Sequence, residues 1–369
     1  MVYFFDKRII SHFNFELIIL VLLLAFLSHF LIYETNVILA QKQLIYFSLS
    51  LLAFILTFII PFRSLKQFIP FVYWCGIFLL LFVEFFGVTK LGATRWLDIP
   101  FTNMTIQPSE LFKPAFLLMM GFLVSNNPPP KEGYHLKDFS YFSFFILLPF
   151  LLIAKEPDLG TALVLLIMGY GILFLVGINW KIIATILLVL TFSSPVIYTY
   201  LIKDYQKKRI HDFISAKPSY HLKQSLIAIG SGGILGKNKE NATQTNLKFL
   251  PIATSDFIFA SFVERYGFVG SVGLIILYLL LIIHLLLIHS HFQKDYMISV
   301  FAGGLGLLLF LNMSVNILMV IGFAPVVGLP LPLFSYGGSS FINFIILFAI
   351  LENLIAFRFM DGYSFNRKL

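Results

Sequence analysis

Ten runs of about 17 to 25 mostly apolar residues follow one another along this chain, near 16–33, 43–61, 70–88, 109–125, 139–155, 158–177, 181–200, 264–289, 296–322 and 338–357. No other feature constrains the fold as strongly. Each run has the length of a helix crossing a bilayer of about 30 Å hydrocarbon. Inside lipid a backbone must satisfy its own hydrogen bonds, so such runs become helices. Of the 369 residues, 59% are hydrophobic and 12% charged, against roughly 25% charged in soluble domains. The 44 Phe residues are spread along the whole length and not held in one anchor. The expected fold class is all-α, a polytopic integral membrane protein with about ten transmembrane helices, read as one domain over 1–369. The first run lacks a small-residue cleavage site and reads as a retained span. The single Cys75 permits neither an internal disulfide nor a cysteine cluster.

Charge sets the orientation. With the N-terminus inside, the short inner segments hold Lys7, Arg8, Arg63, Lys66, Lys131, Lys137, Lys181, Lys294, Arg358, Arg367 and Lys368, and the short outer ones hold only Lys42, Lys90, Arg95 and Lys155. That imbalance places both termini in the cytoplasm. The large loop 201–263 carries nine more Lys and Arg and falls outside, but it is long enough for its charge to lose control of topology. Within it, "SLIAIGSGGILG" is too short to span and reads as a re-entrant or interfacial piece. The net charge of +8 fits loop topology and contact with anionic membrane lipids, and no nucleic-acid partner is expected. On this topology four polar clusters share the external face: "GATRWLDIPFTNMTIQPSE" (92–110), "KEPDLGTA" (155–162), the 201–263 loop and "GLPLPLFSYGGSS" (328–340).

Several residues in these clusters have both a bland and a chemical reading. Glu110 and Lys113 share a helix face after Pro108, with Ser109 as a cap; they form either a structural ion pair or part of a polar cavity. Asp158 opens the sixth span, where a carboxylate caps a helix favourably. Glu84 is a lone boundary acid or a partner for Arg95. "GSGGILGK" (230–237) fails the phosphate-loop pattern at Ser231 and Asn238 and reads as a tight turn, with Lys237 open to a phosphate. "HSH" (289–291) reads as a solvated turn before a metal site. Asp256, at the edge of an apolar run beside Thr254 and Ser255, is either a helix cap or a general base whose partial burial raises its pKa.

"QPSELFKPA", "EPDLGTALV", "TQTNLKFLPIATSDFIFASFVERYGFVG" and "GLPLPLFSYGGSS" together resemble the signature segments of the SEDS (shape, elongation, division, sporulation) family, the RodA/FtsW peptidoglycan polymerases. The match runs in order along nearly the whole chain, and the compact length is more similar to the elongation members than to the division members. Ile252 and Thr254 stand where the family commonly has Glu and His, Asn238 departs from its Gly-Lys-Gly, and Ala242 from its Gly-Thr-Gln; Asp256 stays. The resemblance implies a glycosyltransferase that polymerises lipid II on the outer face of the bacterial cytoplasmic membrane and releases undecaprenyl diphosphate. It implies Asp256 as the catalytic base, with Arg95, Glu110, Lys113, Asp158, Gln224, Lys237, Gln244 and Ser339 as the substrate-binding set. The diphosphate is to be stabilised by cations among these, or by a divalent Mg or Mn ion. Implied partners are lipid II, a class B penicillin-binding protein, since no Ser-x-x-Lys nucleophile motif occurs here, and other elongation-complex proteins. The rival readings are a lipid II flippase, which predicts polar groups at the midplane and on both faces, and a noncatalytic scaffold, which predicts that Asp256 is replaceable by Asn.

Overall fold

A computed structural model describes residues 7–90, 93–98, 105–156, 158–196, 219–242, 244 and 254–358, with the isolated positions 199, 207 and 213. After a short helix α1 (Lys7–His12), the chain runs through α2 (Phe15–Thr35), α3 (Val37–Ile59) and α4 (Ile69–Phe86). A small sheet of β1 (Val88–Lys90), β2 (Ala93–Asp98) and β3 (Thr105–Ile106) follows, then α5 (Pro108–Asn126), α6 (Leu136–Lys155), α7 (Leu159–Val176) and α8 (Trp180–Val196). A shorter α9 (Tyr220–Gly232) precedes α10 (Ile258–His291), α11 (Tyr296–Val320) and α12 (Gly338–Ala356). Among the described residues eight helices are long and apolar enough to cross a membrane, which makes the chain a multi-pass membrane protein. The remaining two of the ten expected segments are α5 and the 17-residue α8.

Side-chain caps start many of these helices. Asn14 accepts from Leu17 N and Asn36 from Leu39 N, each at 3.1 Å, while Ser219 caps α9 and Asp295 caps α11. Such caps satisfy amides that a helix leaves unpaired. At α5 the expectation shifts: Gln107, not Ser109, is the N-cap residue, and Pro108 occupies the first turn.

α11 is the pillar of the bundle, packed against α10, α5, α7 and α12. Apolar side chains gain little from leaving lipid for a helix interface, so close packing of small residues decides which helices associate. A Cβ at Gly304 would stand 2.5 Å from the Leu117 side chain of α5 and 2.8 Å from that of Ile172 of α7, so glycine there leaves room for these side chains to pack against α11. By contrast α2, α3 and α4 turn large apolar side chains such as Phe26, Leu51 and Phe85 outward, where lipid would cover them.

Three local features depart from the sequence expectations. Residues 88–90, 93–98 and 105–106 form antiparallel strands in the order β1-β2-β3, a minor sheet on a helical protein. "HSH" closes α10 and is no solvated turn: His289 is buried, its Nδ1 at 2.9 Å from both the carbonyl and the hydroxyl of Ser299. α10 begins at Ile258, six residues before the expected 264, and its helical geometry is interrupted at Gly267.

That break is filled by the turn after α9. Gly267 has φ 65°, and a Cβ there would lie 2.3 Å from Gly236 N, so glycine is required at the contact. The amides freed by the break find partners in the turn: Phe268 N donates to Gly233 O at 2.9 Å and Val269 N to Ile234 O at 3.1 Å. Lys237 N returns a bond to Glu264 O at 3.0 Å. The glycines of "GSGGILGK" thus serve helix-to-turn docking.

Candidate functional site

Asp256 sits in the turn 254–257 that leads into α10. Its surroundings grip the main chain on several sides. Tyr336 N donates to Thr254 O at 2.8 Å, Ser335 Oγ to Ser255 O at 2.7 Å, and Asn316 Nδ2 to Asp256 O at 2.9 Å. Asn316, fully buried on α11, also donates to Leu329 O at 2.7 Å, tying the turn to the 328–336 loop. Phe257 is buried, with the His221 ring of α9 stacked on it at 6.1 Å. The carboxylate itself lies against Gly328, where an added Cβ would stand 3.5 Å from Oδ2. Among the described residues no hydrogen bond reaches it. Burial raises its pKa, and the charge of Arg95 partly offsets that rise.

Arg95 comes from β2 and ends on Asp158, with Nη1 3.3 Å from Oδ1. Asp158 fills every role open to it. It caps α7 by accepting from Thr161 N at 3.3 Å and takes a second bond from Gln107 Nε2 at 2.6 Å. Gln107 in turn reaches Ser109 Oγ at 3.0 Å. Glu156, the C-cap residue of α6, differs: it is only 6% exposed and neither carboxyl oxygen has a hydrogen-bond partner among the described residues. Its pKa is pushed up to about 8, first by burial, then by Asp158, with Arg95 opposing and Glu84 adding a little. Glu84 pairs with Lys155 at 2.5 Å and not with Arg95.

In the first turns of α5, Lys113 Nζ lies 2.5 Å from Glu110 Oε1, and both side chains are buried. Taking two charges out of water is costly, and close pairing makes it tolerable. The rest of the expected set is dispersed. Gln244 is held through its backbone, its N donating to Glu264 Oε1 at 3.0 Å. Lys237 uses its backbone to bind Glu264 and Arg265. Gln224 on α9 and Ser339 on α12 are half-buried. No hydrogen bond or ion pair among the described residues joins the side chains of Gln224, Lys237 or Ser339 to Asp256 or Arg95.

The region gathers one guanidinium, the acids Glu156 and Asp158 beside it, and Asp256 within its field. Among the described residues no three His, Cys, Asp or Glu side chains converge as a metal cage. Sequence reasoning passed over Asn316, Ser335, Gln107 and Glu156. Gln107 and Glu156 stand inside segments already singled out; Asn316 had the signal of an amide within an apolar run, which has to find a partner there.

Comparisons with known proteins agree along the chain. The FtsW/RodA/SpoVE family model, described as "Cell cycle protein", matches residues 6–359. The peptidoglycan glycosyltransferase MrdB of Helicobacter pylori strain J99 is 52% identical over 357 residues, covering 97% of this chain and 93% of that protein. MrdB of Escherichia coli K12 is 39% identical, covering 83% and 82%. Among solved structures, a peptidoglycan synthase complex that coordinates polymerization and crosslinking superimposes with a TM-score of 0.78 at 28% identity, over 95% of this chain and 99% of that one. The rod shape determining protein RodA of Thermus thermophilus gives 0.71 at 26% identity, over 94% and 98%.

Proposed function

From the premise that this chain belongs to the FtsW/RodA/SpoVE family of cell cycle proteins, we propose that Asp256 is the general base of glycan polymerisation. The chain is a peptidoglycan glycosyltransferase acting in cell-wall elongation and cell shape. In its reaction the 4-hydroxyl of one disaccharide attacks the anomeric carbon of a lipid-linked sugar. The new C–O bond forms as the bond to the diphosphate breaks, and the electron pair leaves with the diphosphate. One proton remains to be removed, and Asp256 accepts it. A diphosphate leaves without being protonated, so the second carboxylic acid that glycosidases need has no counterpart here. Arg95 stabilises the charge developing on the leaving group, with Lys113 and Lys237 as further cations of the binding set.

A single observation carries this reading: the Asp256 backbone is pinned by Asn316 and its neighbours by Ser335 and Tyr336, while the carboxylate is left without a hydrogen bond among the described residues. A fixed backbone with an uncommitted, partly desolvated carboxylate suits a proton acceptor. The substrate is lipid II, whose polyprenyl tail stays in the bilayer while its sugars reach an acid at a span boundary. The working face is extracytoplasmic and both termini are cytoplasmic, on the charge asymmetry of the short loops. A class B penicillin-binding protein supplies the crosslinking partner, in line with the complex that this chain resembles.

The test uses purified full-length protein, labelled lipid II and separation of the glycan products. Wild-type protein builds strands, and Asp256→Asn loses about 10²- to 10⁴-fold in rate while remaining folded. Strand synthesis by folded Asp256→Asn at near wild-type rate would remove Asp256 from the role.

A further inference from the structure

At the end of the bundle away from Asp256, a cavity of about 560 Å³ opens between the turn before α4, the last turn of α5 and the start of α11. Arg63, Lys66 and Lys294 line it, with Asp295 as the one acid. Arg63 is committed: Nη2 lies 2.5 Å from Asp295 Oδ2, and its Nε and Nη2 reach Leu354 O at 3.2 and 3.0 Å. That pair cancels in charge, so Lys66 and Lys294 leave the cavity positive. Lys66 Nζ gives one N–H to Ser125 Oγ at 2.7 Å, out of the three an ammonium carries. Its Nζ lies 6.0 Å from the centre of the Phe122 ring, which holds the charge at the cavity wall. We propose that this cleft binds the phosphate of an anionic phospholipid headgroup.

The surroundings favour a lipid over a free phosphate. Leu65 and Phe68, flanking Lys66 in sequence, are 38% and 52% exposed, so apolar side chains stand beside the cations at the level where acyl chains begin. Basic pockets between helix ends at a membrane surface attract anionic headgroups for this reason. The cleft is also separate from the reaction site. α11 carries Asp295 at its first cap and Asn316, which grips Asp256, near its other end. A helix of this length spans about 37 Å, so the two sites face opposite membrane surfaces. On the orientation proposed above, the headgroup belongs to the cytoplasmic leaflet.

Full-length protein is reconstituted in nanodiscs of mixed phosphatidylglycerol and phosphatidylcholine, and retained lipid is read by native mass spectrometry. Wild-type protein is expected to keep phosphatidylglycerol preferentially. Lys66→Gln with Lys294→Gln lowers that retention by about 5-fold per lysine, while Lys66→Arg with Lys294→Arg keeps it and polymerisation in detergent is unchanged. Lys131→Gln with Lys137→Gln, on a different loop, leaves retention intact. Equal retention by wild type and the double Gln variant overturns the site, and so does an equal loss in the Lys131/Lys137 control. Displacement of the lipid by inorganic phosphate at millimolar level makes it a free-phosphate site and overturns the lipid assignment.

Discussion

Two aspartates that feel the charge of Arg95 are held in opposite ways. Asp158, at the start of α7, spends its carboxylate on a helix amide, on Gln107 and on Arg95 itself. Asp256 spends only its main chain, and its carboxylate faces Gly328 with no hydrogen bond among the described residues. A carboxylate engaged by three donors positions its neighbours; an open one in a partly desolvated place is free to take a proton. Sequence alone assigned both a possible capping role. The difference between them lies in how many donors the fold brings to each oxygen.

This contrast fixes the order of expected effects. The largest is the Asp256→Asn loss of rate given above, and Asp256→Asn should melt within a few degrees of wild type, since no side-chain bond is removed. Next comes the buried Glu110–Lys113 pair. Lys113→Met leaves Glu110 unpaired and should cost about 3 to 5 kcal/mol, whereas Glu110→Gln with Lys113→Met together should recover much of it. A double-mutant cycle in chemical denaturation measures the coupling, and additive losses would mean that the contact carries no energy.

Asp158→Asn should be milder. Asn caps a helix about as well as Asp, so the loss is confined to charged hydrogen bonding with Gln107 and Arg95, about 1.5 to 3 kcal/mol. Its effect on glycan synthesis should be smaller than that of Asp256→Asn; a larger effect would reverse the assignment of roles. A different kind of effect, a slope against pH, is expected at Glu156. Its pKa in the native protein, near 8, stands above the unfolded value of 4.5. Between these values the native state holds a proton that the unfolded chain has released. Stability therefore falls as pH rises through that window. Melting curves at stepped pH should show the decline in wild type and a flatter profile in Glu156→Gln.

Much of this was legible in the sequence because lipid makes the code coarse. All ten apolar runs reappear as helices, eight of them within a few residues and the second and eighth starting six residues early, since length and greasiness alone define a span. The Glu110–Lys113 contact follows from helical spacing and survives as an ion pair. What escaped was tertiary. α10 starts early because Phe257, Ile258 and Phe259 are buried in the bundle, which no hydropathy window registers. Asn316 looks like an isolated amide in an apolar run until the carbonyls of Asp256 and Leu329 are brought to it from 60 residues upstream and 13 downstream. The strands at 88–106 carry too few residues for period-2 alternation to stand out. For Gln224, Lys237 and Ser339, expected in the site from their segments, no hydrogen bond or ion pair among the described residues joins the side chain to Asp256 or Arg95, because side-chain direction is a matter of packing that a linear motif does not encode.

The interruption of α10 at Gly267 has a mechanical consequence. The half before it begins at the Asp256 turn and meets the 233–237 turn where Lys237 N donates to Glu264 O, while Phe268 and Val269, after the break, bond to the same turn. Arg265, on that same half, is clasped by both carboxylate oxygens of Glu34 at the end of α2, at 3.0 and 2.8 Å. The break is therefore held on both sides and is not a free hinge. Residues 258–266 therefore form a short strut of about two turns between the end of α2 and the pinned turn that carries Asp256, so the place of the aspartate depends on contacts well removed from it.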